Sequence, residues 1–452
     1  MRHIPAHVLA RQIEKGLFQL RPPQALILSF VLLSLAGALL LKLPIASHGV
    51  TSWSQAFFTA VSAATVTGLT VVDTGTHFTL FGQWVLIVLM QLGGLGLMTF
   101  GLFVIFLARD RLTMQHSAVV SEALSEPGHG NLQRLLVAMF GFTLAMEVLG
   151  TCLLAWEWVP QMGWSRGIYF SFFHTVSAFN NAGFGLRPDN LVAYAASPLV
   201  NMVITTLFIG GGIGFVVIAD LIEKRRFRDF ALHTKVMICA TLIVNVVAML
   251  VVLALEYGNP GTLGKLPDIA SKLWAAWFQG VAPRTAGFNT VDVAALAPAT
   301  ALFIMALMFI GAGSGSTASG IKLSTFIVLL ATTRAFLRGD ERPVIFGRSL
   351  HSAVIIKAMA ITIISLFFVF TAFFLLTISE KHGFLDLAFE AVSAFGTVGL
   401  SRGVTPTLTL PGQSVIMVLM LIGRVGPLTL AFTIANRPRA LIEYPAGKVT
   451  VG

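Results

Sequence analysis

The chain has 452 residues, of which 56% are hydrophobic and only 11% charged. That balance excludes an ordinary soluble globular class and reads as a membrane protein with many spans. The formal charge of +10 does not mark a nucleic-acid binder, because the basic residues are dealt out among the short connections between apolar stretches.

In chain order, a basic N-terminal segment (Arg2, Arg11, Lys15, Arg21) runs directly into residues 25–41, the first stretch long enough to cross a hydrocarbon core. It does not resemble a cleaved signal peptide. Further candidate spans are 84–107, 135–156, 199–222, 236–255, 299–330, 358–378 and 415–434, making eight. Cys152 and Cys239 fall inside two of them and are expected to be free thiols acting as small apolar side chains. If the spans alternate, Arg109, Arg111, Arg134, the runs 224–235 and 334–357, and Arg437, Arg439 and Lys448 share one side with the N-terminus. The opposite connections hold only Lys42, Arg166, Arg187, Lys265, Lys272, Arg284, Lys381 and Arg402. The positive-inside rule then makes both termini cytoplasmic. The basic loops serve as topology determinants near anionic lipid, with a docking surface as an additional role.

Between successive spans lies a shorter amphipathic stretch, at 53–64, 164–179, 269–281 and 384–395. These are too short to cross and suit re-entrant half-helices, which survive at membrane depth only where they are buried in protein or line water. Three of them carry the same approach to a glycine: Phe58 to Ala63 before Gly68, Phe173 to Ala178 before Gly183, and Phe389 to Ala394 before Gly399. The remaining one is looser, Trp277 to Ala282 before Gly287. The spacing predicts an all-α integral membrane protein of four tandem repeats, each a span, a pore half-helix, a filter loop and a second span, around a pseudo-fourfold central pore. The expected units are 22–112, 132–228, 233–338 (with a broken second span) and 352–436, flanked by cytoplasmic termini at 1–21 and 437–452. A half-helix entering from outside turns its carbonyl-rich C-terminal end toward the axis, which favours a cation.

The loop residues are then Thr65, Val66, Thr67 and Gly68; Asn180, Asn181, Ala182 and Gly183; Arg284, Thr285, Ala286 and Gly287; and Gly396, Thr397, Val398 and Gly399. Backbone carbonyls there can replace the hydration shell of a dehydrated cation. Asp73, Asp189 and Asp292 follow three of the glycines and form a partial acidic ring at the outer mouth. Turn capping, or pairing with Arg187 and Arg402, is the alternative for these acids.

These four loops, together with Arg-Thr-Ala-Gly-Phe-Asn at 284–289 and the segment 445–452, resemble the Trk/Ktr/HKT superfamily of potassium transporters over nearly the whole chain. The resemblance implies a single-chain pore of the bacterial plasma (inner) membrane that passes K+, often with dependence on Na+. It also implies a homodimer above a cytosolic ring of RCK-type nucleotide-binding subunits (KtrA-like), reached through loops 223–235 and 333–350 and the C-terminal segment. No loop carries the two-glycine pattern of strict K+ channels, so weaker exclusion of Na+ and Rb+ is expected.

Two further features stand out. Gly311, Gly313, Ser314, Gly315, Ser316, Thr317, Ser319 and Gly320 interrupt the long stretch 299–330, where glycine and serine remove helix propensity. One reading is a small-residue packing seam between helices. The other is a broken helix whose polar middle plugs the path below the filter; the resemblance implies this gate, with Lys322 holding the loop through carbonyls. Arg424 lies near the middle of the last span, where an arginine costs about 2.5–3.5 kcal/mol on insertion scales and must face the interior or water. The resemblance places it in the path near the gate; a pair with Glu147 is the alternative. His174 reads as a wall or packing residue. No phosphate-binding loop opens a helix after a strand, so no organic cofactor or nucleotide is expected in this chain, and no acid–base or nucleophile constellation indicates an enzyme. An alternating-access transporter using the broken span as its midplane site is the second functional class.

Overall fold

The computed structural model describes residues 22–96 and 132–427. Among the described residues, four helices carry enough apolar length to cross a bilayer: α1 (Pro22–Leu41), α4 (Leu132–Met162), α8 (Leu232–Glu256) and α12 (Ser352–Ser379). Their surfaces explain why water is the wrong solvent. Leu32, Leu144, Leu242 and Phe370 are 51%, 64%, 61% and 68% exposed, and apolar surface of that extent belongs against lipid. Cys152 and Cys239 lie on α4 and α8 as free thiols.

Each long helix is followed by a short one: α2 (Trp53–Ala64), α5 (Trp164–Phe179), α9 (Ile269–Val281) and α13 (Phe384–Gly396). These match the expected half-helices to within one residue. Local chemistry sets their starts. Ser52 forms a reciprocal capping box with Gln55, and Asp268 accepts from the backbone of Ser271. Phe58, Phe173 and Phe389, the phenylalanine recurring in the sequence, are fully enclosed; in the looser copy Trp277 holds that position and its neighbour Phe278 is the enclosed ring.

The second helix of each unit departs from expectation. A straight span over 199–222 is not found: α6 (Pro198–Gly212) and α7 (Phe215–Glu223) meet at 96°. α3 (Leu80–Leu95) stops short of the expected 84–107, and α14 (Leu410–Val425) short of 415–434; residues 97–107 and 428–434 lie outside the described residues. Only the break between α10 (Pro298–Phe309) and α11 (Leu323–Arg338) was anticipated. The cause is common to the other three. Gly96, Gly214 and Gly426 have φ of 82°, 108° and 95°, which an α-helix of L-residues cannot continue through.

The same segments contain a second glycine requirement. A Cβ on Gly93, Gly211 or Gly423 would lie 2.8, 3.0 or 2.9 Å from the carbonyl carbon of Ala64, Phe179 or Phe395, and closer still to its oxygen. Each second helix therefore touches backbone at the end of its own short helix. Gly211→Ala is expected to destabilise the fold by about 1–3 kcal/mol through overpacking, read as a lower thermal midpoint in detergent; an unchanged midpoint would mean the two backbones can separate freely. Among the described residues the one β element is a hairpin, β1 (Val344–Ile345) with β2 (Arg348–Ser349). Phe346 and Gly347 form its turn with φ of 47° and 74°, the two positive angles a two-residue loop demands.

Candidate functional site

The four short helices end in loops of one conformation. The residue two before each glycine is left-handed, with φ of 50°, 57°, 75° and 45° at Val66, Asn181, Thr285 and Thr397. The glycines Gly68, Gly183, Gly287 and Gly399 follow at 91°, 71°, 72° and 89°. Backbone that alternates hand aims successive carbonyls to one side. Such angles cost ordinary residues strain, and their recurrence at four matched positions marks a functional constraint. The turns are fixed internally: Thr67, Ala182 and Val398 donate their backbone N–H to the carbonyls of Ser62, Ser177 and Ser393 at 2.8, 2.8 and 2.9 Å. Ser62 and Ser393 also accept from Gly68 and Gly399 through their hydroxyls at 3.1 and 3.2 Å.

The loops meet. A Cβ built on Gly68 would lie 3.0 Å from the Cα of Gly183; on Gly183, 2.7 Å from the Cα of Gly287; on Gly287, 2.5 Å from the carbonyl oxygen of Val398; on Gly399, 3.0 Å from the Cα of Gly68. The contacts close a ring in chain order. All four glycines line one cavity of about 560 Å³, and Asp73, Asp189 and Asp292 line it too.

Each acid also has a structural partner. Asp73 caps the turn Thr74–His77, accepting from Thr76 N at 2.7 Å; Asp292 accepts from Ala294 N at 2.9 Å; Asp189 pairs with Arg187 at 3.0 Å. The hydrogen bond that Arg187 donates to Asp189 holds its guanidinium above the ordinary pKa. Arg402 pairs instead with Asp386 at 2.6 Å.

The side chains behind the ring differ from unit to unit. Thr65 turns to its own loop, its hydroxyl 2.7 Å from that of Thr67, and also touches Met420 Sδ of α14 at 3.9 Å. Arg284, placed in a loop by the sequence, sends its guanidinium to Asn245 on α8 at 2.9 Å. Asn180 donates to Gln91 at 2.7 Å and to Glu147 at 3.5 Å. Gly396 has no side chain to anchor. Asn181 Oδ1, Thr285 Oγ1 and Thr397 Oγ1 are buried without a hydrogen-bond partner in the protein. His174 is fully buried, with Nδ1 at 2.8 Å from the carbonyl of Phe170, in keeping with a packing role.

Beneath the ring lies the segment 310–322 between α10 and α11. It is clasped from several sides. Gly313 and Thr317 donate backbone N–H groups to the carbonyls of Gly212 and Gly211 at 2.7 and 3.2 Å, and Phe215 N donates to Gly315 O at 2.9 Å. The segment is thus laid against the bend between α6 and α7. Asn181 Nδ2 reaches down from the ring to Thr317 Oγ1 at 2.6 Å. Ser314 Oγ meets Ser324 Oγ at 3.0 Å, Ser316 donates to Gly313 O at 2.7 Å, and Lys322 Nζ donates to Ala318 O at 2.6 Å.

Arg424 completes the clasp. One nitrogen donates to the carbonyl of Thr317 and, at 3.3 Å, to Ser319 Oγ; the other donates to the carbonyls of Gly93 and, at 3.0 Å, Gly94. Its guanidinium therefore joins the segment to the end of α3, and Glu147 is engaged elsewhere. The pattern Gly-Gly-Leu-Gly at 93–96, Gly-Gly-Ile-Gly at 211–214 and Gly-Arg-Val-Gly at 423–426 was the available signal for these helix ends. Arg424 stands where the other two copies have their second glycine.

Four loops of one conformation closing a ring beside a cavity, within a helical protein whose long helices are apolar outside, are the architecture of a membrane transport protein. The chain belongs to the TrkH cation transport protein family, whose model matches residues 21–443. It is 52% identical to Ktr system potassium uptake protein B of Bacillus subtilis, over 95% of this chain and 97% of that one. It is 43% identical to the protein of the same name from Vibrio alginolyticus, over 95% of each. Identity to potassium/sodium uptake protein NtpJ of Enterococcus hirae is 36%, over 98% of this chain and all of that one. The crystal structure of the potassium transporter TrkH from Vibrio parahaemolyticus superposes with a TM-score of 0.73 at 17% identity, covering 90% of this chain and 83% of that one, which establishes a shared fold.

Proposed function

We propose that this chain takes up K+ across the plasma membrane through a gated, channel-like pore, with both termini cytoplasmic. The observation that carries the reading is the closed ring of Gly68, Gly183, Gly287 and Gly399, whose alternating backbone supports a filter of carbonyl oxygens. Cations collect in the vestibule beside Asp73, Asp189 and Asp292 and lose water at the ring. The unpartnered oxygens of Asn181, Thr285 and Thr397 extend the lining, while Val66 leaves it apolar on one side. Segment 310–322, with Lys322 and Arg424, is the gate: it adds bulk to the path and Arg424 adds a fixed positive charge that raises the barrier to cations.

The finer reading keeps four units at 22–112, 132–228, 233–338 and 352–436, a homodimer, and a cytosolic RCK-type nucleotide-binding subunit docking on loops 223–235 and 333–350. The naming of relatives as parts of a Ktr system supports a multi-subunit assembly. The relative named for both potassium and sodium supports a role for Na+. The test is growth rescue of a K+-uptake-deficient bacterium at micromolar to millimolar K+, with and without a cosynthesised cytosolic subunit. Rescue with Rb+ flux that shows no fixed ion stoichiometry is expected. Strict coupling to a second ion at slow, saturable turnover would replace the pore with an alternating-access carrier.

A further inference from the structure

Behind the second loop sits a carboxyl group that the ion path itself does not use. Glu147 is on the long helix α4, buried, at a level where an acidic side chain is costly unless it has partners and a purpose. Its partners are Gln91 of α3 and Asn180, the first residue of the loop; the Asn180 amide nitrogen has its close acceptors in Gln91 at 2.7 Å and the carbonyl of Val176 at 3.0 Å, and reaches Glu147 as a longer third contact at 3.5 Å. The side chain of Asn180 is thus held by three elements at once: its own short helix, the long helix of its own unit and the second helix of the preceding one. Space for it is made by Gly94, where a Cβ would sit 2.6 Å from the Asn180 amide carbon.

The matched position in the other loops shows how specific this arrangement is. Thr65 closes onto its own loop, Arg284 is held by Asn245 on its own long helix, and Gly396 has nothing to hold. Two of the four loops are therefore braced from the long helix, and only the second by an acid. The next residue, Asn181, has the left-handed backbone and bonds the gate segment through Thr317, so a change in the peptide at Asn180 reaches both ring and gate.

We propose that Glu147 is a positioning residue for the second loop: through the amide of Asn180 it fixes the peptide that leads into Asn181–Gly183, and so sets how well the ring separates K+ from Na+. The inference rests on the filter reading of the loops. Removing Glu147 takes an acceptor from the Gln91–Asn180 pair, and the relief open to that pair is a shift of the Asn180 side chain and its peptide.

The test is K+ binding to the purified full-length protein by isothermal titration calorimetry, with Na+ competition, in Glu147→Ala, Glu147→Gln and Asn180→Ala. Alanine at Glu147 is expected to weaken K+ binding and K+-over-Na+ discrimination by about tenfold, with Asn180→Ala, which also loses Gln91 and Val176, at least as damaging and the double variant no worse than Asn180→Ala. Glutamine keeps an acceptor for the Asn180 amide and is expected to stay within about twofold of the parent protein. Unchanged discrimination in Glu147→Ala, or equal damage from alanine and glutamine, would overturn the positioning role. Should Glu147→Ala fail to accumulate, Glu147→Leu, which fills similar space without an acceptor, takes its place in the comparison with glutamine. Gly183→Ala separates the two levels. If it leaves discrimination intact, the filter reading falls and this inference with it; if it destroys discrimination while Glu147→Ala does not, only this inference falls.

Discussion

Alanine at Gly399 is expected to lower K+ affinity about a hundredfold, and selectivity with it, the scale associated with misplacing a coordinating group by about 1 Å. Two separate terms add. The glycine has φ of 89°, where an L-residue carries roughly 1–2 kcal/mol of strain. The new methyl would also press into the Thr67 carbonyl oxygen and lie 3.1 Å from its carbon, both backbone atoms of a neighbouring loop. The carbonyl of Thr67 belongs to the proposed ion lining, so relief of the clash moves a ligand. Gly403 provides the control: its φ is 92°, and a Cβ there meets nothing within 4 Å. Gly403→Ala is expected to cost a little stability and leave K+ binding within about twofold, since it carries the strain without the clash. Calorimetric K+ titration of both variants checks the pair. Equal, small effects at the two sites would mean that the ring is not where K+ is bound.

The short helices were legible because three local signals agree at each: an apolar face interrupted by small residues, a turn before it, and a fixed count to a glycine. Trp53–Ala64 and Trp164–Phe179 are found with the expected bounds for that reason. The third copy was harder to see in sequence, since Val281 replaces the serine of the others, yet it has the same left-handed residue at Thr285. What the sequence hid was the fate of the second helices. Hydropathy carries straight through Gly96, Gly214 and Gly426, because a glycine barely alters an apolar average, while the backbone turns at each. The side chains behind the ring were hidden for a different reason. Whether Arg284 faces an ion or Asn245, and whether Glu147 meets Arg424 or Asn180, depends on helix rotation and contacts far apart in the chain, which periodicity does not encode.

Arg424→Ala is expected to raise resting Rb+ flux by about tenfold or more, taking each lost charge-assisted hydrogen bond as worth about 1.5–3 kcal/mol to the closed arrangement. Arg424 holds Thr317 and Ser319 of the gate segment with one nitrogen and the end of α3 at Gly93 and Gly94 with the other. Alanine removes the bridge and the charge together, so Arg424→Lys is needed to separate them. A lysine keeps the positive charge but presents a point ammonium in place of a planar fork, and cannot serve both sides in the same geometry. If the bridge is what keeps the segment in place, Arg424→Lys leaks nearly as much as alanine. If charge alone makes the barrier, the lysine variant stays closed. The segment has other holds, at Asn181, Gly211 and Gly212, so loss of Arg424 should loosen it without unfolding the helices around it, and the thermal midpoint should fall by only a few degrees. Rb+ flux into proteoliposomes containing each variant, measured beside that midpoint, makes the distinction. Parent-like flux in a well-folded Arg424→Ala protein would remove Arg424 from the proposed gate, and the same result after Asn181–Thr317 is cut would remove segment 310–322 as well.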